Sequence, residues 1–173
     1  MELTKLYEVQ AGLKKHIGYK GNDKFPKMML AMLVEFMECA NDWRGFKYWS
    51  ENPKPKATLL EEYVDGLHFV LETGLDLLES DFIRILPKYS VAHCLKSEKN
   101  ETHIIRQYKQ LIYTVIYIDR EVESEENYLE SEYEQLIEQY LYLGRLLGFT
   151  EEQIEQAYMK KNEVNHQRQE NGY

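Results

Sequence analysis

Cysteine, proline and glycine are all scarce in this chain: 173 residues hold two, four and nine of them. Two cysteines, Cys39 and Cys94, cannot build a disulfide framework and fit a reducing, cytoplasmic setting. Few turn residues and almost no runs of alternating β-branched residues exclude a turn-rich sandwich or barrel and favour an all-α fold. No stretch approaches the about 18 uncharged apolar residues of a membrane span. The opening MELTKLYEVQ lacks the apolar centre of a signal peptide. Positive charge is also short: a net charge of −9 argues against a nucleic-acid backbone as partner, though not against a small anion whose charge is met by metal ions. Phosphate loops, dinucleotide glycine fingerprints, HExxH and CxxC are missing as well, which removes the commonest nucleotide-loop, zinc and redox chemistries. The length suits one domain over residues 1–173.

What is there centres on MMLAMLVEFMECAND, residues 28–42. Read as a helix, it is apolar nearly all round, which is the pattern of a buried segment. Yet Glu35 and Glu38, three apart, project from one face. Carboxylates buried without partners take up protons or recruit cations, so raised pKa values are expected for both in the absence of metal. A second pair, Glu62 and Asp65, repeats the spacing on a following helix that also carries Phe69, apart from its stripe of Leu60, Val64, Leu67, Leu71, Leu75 and Leu78. A short connection makes the two helices antiparallel neighbours and brings the acidic faces together. Four carboxylates offer oxygen ligands only, suited to Mg²⁺ with Mn²⁺ as a substitute. The competing reading is two solvated acidic faces, but the lack of lysines around Glu35 and Glu38 disfavours it. A di-iron bundle would want Glu-x-x-His on two helices, and Glu163 to His166 is a single instance, with Asp65 to His68 an approximate second.

Elsewhere the periodicity predicts a helix from Glu2 to Ile17 with Gln10 beside its stripe, a loop over 18–24, Pro26 opening the acidic helix, and a next helix from Pro55 or Thr58 to Glu79. Thr58 with Glu61 makes a possible capping box, and Thr150 with Gln153 another. Residues 80–100 read as turns, a short helix and a solvated loop. Residues 101–120 are ambiguous but favour a helix whose tyrosine-rich surface could face another subunit, and Ser124 to Leu147 continues as an acidic amphipathic helix. The loop WRGFKYWSENPKPK has an unusual mix: its aromatics, Trp49 among them, could hold a base or sugar, and Arg44 and Lys47 could reach phosphates. His68, a turn beyond Asp65, either bonds a carbonyl in the core or lines a pocket. In the final helix Lys161, Asn165 and Arg168 form a row of donors at i, i+4 and i+7.

EFMECANDWRGFKYWS, then LLEEYVDGLHF, then KNEVNHQRQENGY together resemble the dimeric, all-α dUTP diphosphatases, relatives of the MazG-like nucleoside triphosphate pyrophosphatases. The resemblance implies a helical bundle with a four-helix catalytic core and extra helices, acting as a homodimer. It implies hydrolysis of dUTP, and of dUDP as well, to dUMP, releasing pyrophosphate or phosphate. Glu35, Glu38, Glu62 and Asp65 would bind Mg²⁺, and Glu35 by preference would orient the attacking water. Lys161, Asn165 and Arg168, with Asn162, would contact phosphates. Gln10 and Trp49 would help bind uracil, with His68 near the sugar or base. Family members often carry an amide or acid three residues after Gln10, where this chain has Leu13. The rival readings are a sister pyrophosphatase for another nucleotide and a non-catalytic helical interaction protein.

Overall fold

The computed structural model describes residues 1–92, 100–124 and 128–172. Cys94 and most of the charged run 96–101 lie outside them. Six helices are present among the described residues: α1 (Thr4–Ile17), α2 (Lys24–Trp43), α3 (Leu59–Glu79), α4 (Glu101–Ser124), α5 (Glu130–Leu147) and α6 (Glu151–Glu170). No strand accompanies them, and the extended segments meet only in an isolated antiparallel bridge between Glu2 and Tyr89. The fold is therefore all-α.

Helix α3 is the central element, in contact with α1, α2, α5 and α6. Against α2 it runs antiparallel: Asp42 accepts from Lys56 and Thr58 at one end, while Lys24 pairs with Glu72 at 2.7 Å and with Asp76 at the other. Against α5 the fit is made by tyrosines seated on glycines. A Cβ on Gly66 would stand 2.2 Å from the Tyr140 hydroxyl, and one on Gly74 would stand 2.2 Å from that of Tyr133. Tyr63 and Tyr140 stack with ring centres 4.8 Å apart, and each hydroxyl donates to the other's backbone carbonyl, at 3.1 and 2.7 Å. Phe36, Leu67, Leu71, Leu136 and Ile137 are completely buried nearby, each removing enough apolar surface to contribute about 1.5–3 kcal/mol.

Several sequence expectations change in the fold. Helix α1 begins at Thr4 because residues 1–3 are taken up by the bridge, where the Leu3 amide donates to Lys88. Pro26 is the third residue of α2 rather than its first, still within the turn whose amides lack intrahelical acceptors. The Thr150–Gln153 capping box forms. The Thr58–Glu61 box does not, because the Thr58 hydroxyl donates to the Asp42 carboxylate instead, a stronger, charged acceptor. The helix expected from Ser124 starts at Glu130, and Ser124 ends α4.

The largest correction concerns α2. It packs on α3 and α4, and the side away from both stays open: Leu30 is 65% exposed, Val34 46% and Met37 42%. Glu38 is exposed too, while Glu35 is half-buried. The helix is apolar all round without being buried all round.

Candidate active site

Antiparallel packing of α2 on α3 sets Glu35 opposite Glu62 and Asp65, and one carboxylate oxygen from each lies within 4.8 Å of the others. Oxygens sharing a magnesium ion at about 2.1 Å stand roughly 3–4 Å apart, so a slight contraction would let these three grip one ion. The donor set is oxygen alone, and all three groups are partly buried. It fits a hard divalent cation.

Charge balance points the same way. Burial, then Asp65, Glu38 and Glu62, push the Glu35 carboxyl up to about 7, with Lys161 opposing. Glu62 is raised by burial and then by Asp42, Asp65 and Glu38. Asp65 is raised by burial despite Lys161. Acids held above their ordinary range by burial first and by neighbouring acids second are poorly neutralised, and a divalent ion would relieve all three.

Lys161 comes from α6. Its ammonium is buried and bonds Asp65 at 2.7 Å and Glu61 at 3.0 Å. Asn162 beside it is buried, and its amide nitrogen has no partner among the described residues. One and two turns further, Asn165 and Arg168 reach the wall of a cleft of about 250 Å³ that Glu35 and Asp65 also line. The rest of that wall is Gln10, Leu13 and Ile17 of α1, His68, Phe69 and Glu72 of α3, and Gln169. The cleft thus has a carboxylate end and an end made of apolar side chains with a few polar groups.

At the second end, the Gln10 carbonyl oxygen accepts from the Tyr158 hydroxyl at 2.7 Å and lies 2.8 Å from His68 Nδ1. The Gln10 amide donates to Glu72 at 2.9 Å. His68 lies face to face with Tyr158, ring centres 4.1 Å apart. Burial, helped by Lys161, pushes the imidazole down to about 3, so it is neutral at ordinary pH.

Not every candidate from the sequence gathers here. Arg44 closes α2 in a left-handed conformation, φ 65°, and its guanidinium donates to Ser50 Oγ at 3.3 Å and the Asn52 carbonyl at 3.1 Å. Lys47 donates to Asn41 at 2.5 Å. Trp49 is 63% exposed and meets Phe46 and Tyr48 edge-on. None of the three lines the cleft. Conversely, sequence reasoning passed over Glu72, Tyr158 and Glu61. Glu72 had a signal, since it follows Asp65 by seven and His68 by four residues and so shares their face. Nothing in the sequence marks the Tyr158 hydroxyl.

A family model for dUTPase matches residues 2–173. A search of curated proteins finds no match. The match spans nearly the whole chain, and the chain belongs to the dUTPase family, whose reaction is the hydrolysis of dUTP.

Proposed function

We propose that this dUTPase is Mg²⁺-dependent, with Mn²⁺ as a substitute, and that it converts dUTP, and dUDP as well, to dUMP, releasing pyrophosphate or phosphate. The observation that carries this reading is that Glu35 and Asp65, which converge with Glu62, line a cleft that also offers apolar walls, Gln10 and His68. Glu35, Glu62 and Asp65, joined by Glu38 from the exposed side of α2, hold the metal. When bound, the ion neutralises oxygens of the polyphosphate and makes the phosphorus easier to attack.

The chain's own groups do the rest. Glu35, by preference over Glu38, orients through its carboxylate oxygen the water that attacks the α-phosphorus. Lys161, Asn165 and Arg168, with Asn162 behind them, bind phosphate oxygens and stabilise charge developing on the leaving group. Lys161 must then loosen its hold on Asp65 or Glu61. Gln10 and His68 take the base between Leu13, Ile17 and Phe69. Arg44, Lys47 and Trp49 reach the substrate only if their loop moves toward the cleft.

Residues 1–173 act as a single domain on this reading. A homodimer is supported by the open apolar row on α2 and by Tyr113 and Ile116, 71% and 54% exposed on α4. The free, buried thiol of Cys39 suits a reducing cytoplasm, and no helix of the described residues is long and apolar enough to cross a membrane. The test is product release from dUTP, dUDP, dCTP, dTTP and dATP with Mg²⁺ and with chelator. Fast, metal-dependent turnover of dUTP and dUDP to dUMP is expected, and equal rates on all the triphosphates would overturn the assignment.

A further inference from the structure

A polar chain from Lys24 through Glu72 and Gln10 to His68 fixes hydrogen-bond directions at the apolar end of the cleft. One Glu72 oxygen receives Lys24 at 2.7 Å, so the group is an ionised carboxylate and can only accept. Its other oxygen lies 2.9 Å from the Gln10 side chain, which must turn its NH₂ toward it. The reverse placement would set two lone-pair oxygens against each other. The Gln10 carbonyl oxygen therefore points away from Glu72, toward Tyr158 and toward His68 Nδ1 at 2.8 Å. A carbonyl oxygen cannot donate, so Nδ1 carries the proton. A neutral imidazole has one N–H, which leaves Nε2 as a bare acceptor. That atom is buried without a partner among the described residues, on a side chain that lines the cleft.

We propose that Glu72 is a positioning residue for base selection: by orienting Gln10 it locks the His68 tautomer and leaves Nε2 to accept a ring N–H, the N3–H of uracil. This rests on the reading of that end of the cleft as the base pocket. Cytosine has a lone pair at N3, so it would meet Nε2 acceptor to acceptor, and a site built for one hydrogen-bond polarity rejects the other. The lock says nothing about thymine, which keeps N3–H. Selection against thymine falls to the space around C5.

Glu72→Gln tests the lock. The new amide can donate as well as accept, so Gln10 is free to turn over and the imidazole to exchange tautomers. The substitution conserves size, and Lys24 keeps Asp76 at 2.7 Å. The ratio of kcat/KM for dUTP to that for dCTP should fall about tenfold or more in E72Q, with KM for dUTP rising more than kcat changes. In parallel, ¹⁵N NMR of the wild-type imidazole, assigned with a His68 variant, should report Nδ1 protonated, and E72Q should give a mixture. Unchanged selectivity in a folded E72Q overturns this inference alone. A wild type indifferent between dUTP and dCTP overturns it together with the base-pocket reading. Should E72Q fail to fold, the wild-type spectrum decides: protonated Nδ1 supports the lock, and protonated Nε2 refutes it.

Discussion

Helix α3 meets α5 on one side and α2 on another, and buried polar groups fare oppositely on the two. Toward α5, Tyr63, Tyr133 and Tyr140 are fully buried, yet every hydroxyl finds an acceptor: the carbonyls of Tyr140, Val70 and Tyr63 respectively. Tyr7 adds its own hydroxyl to that of Tyr133 at 2.8 Å. Toward α2, Glu62, Asp65 and Glu35 crowd together with their carboxyls raised first by burial and then by neighbouring acids. A satisfied buried polar group rigidifies a contact, whereas an under-neutralised one stores a demand for a ligand. One helix thus carries satisfied tyrosine contacts on one face and the under-neutralised acids on the other.

The sharpest way to break this contrast is to remove an acid from the α2 side. Asp65→Ala should lower Mg²⁺-dependent dUTP turnover by about 10³-fold or more while the circular dichroism and melting behaviour of a folded helical protein persist. Activity within tenfold of wild type would mean that the carboxylate cluster is not the site. On the α5 side the opposite split is expected. Gly66→Ala drives a methyl to 2.2 Å from the Tyr140 hydroxyl and should cost about 2–3 kcal/mol in urea unfolding. Gly12→Ala, with nothing within 4 Å of the added carbon, should be neutral or stabilise α1 by up to about 1 kcal/mol. Equal costs at the two glycines would refute the tyrosine-on-glycine account of the interface.

A smaller effect sharpens the comparison through pH. Glu35 moves from an ordinary value of 4.5 to about 7 on folding, so the folded protein holds a proton that the unfolded chain releases between those values. Its contribution to stability is complete below about pH 4.5 and is lost as pH rises through about 7. Partial exposure and solvent screening reduce this to about 1 kcal/mol. Metal-free protein should melt lower near pH 8 than near pH 5.5, and Glu35→Gln should remove part of the difference. If E35Q shows the same pH dependence as wild type, Glu35 is solvated and not squeezed by its neighbours.

Much of the site's inventory was legible because helical spacing is local. The ExxE and ExxD pairs, the Lys161–Asn165–Arg168 row and the Thr150 capping box each follow from residues three or four apart. What failed were inferences that needed a neighbour. Thr58 looked like a helix cap until Asp42, sixteen residues away, took its hydroxyl. The apolar α2 looked buried until it packed on α3 and α4 and left Leu30, Val34 and Met37 open. Helical spacing puts Glu72 on the face of Asp65 and His68, but spacing does not say what its carboxylate meets. Its meaning comes from Lys24 on α2 and Gln10 on α1.

The sequence by itself determined six amphipathic or apolar segments, the pairing of acids by helical turn, and the family to which those motifs belong. The tertiary structure alone decided that Glu35 joins Glu62 and Asp65, that Lys161 from the far end of the chain sits against Asp65, that Arg44, Lys47 and Trp49 stand outside the cleft, and that His68 Nε2 is buried without a partner among the described residues. Periodicity is a property of consecutive residues. Burial, charge balance and tautomer are properties of surroundings, set here by which helices α3 meets and how closely glycine lets them approach.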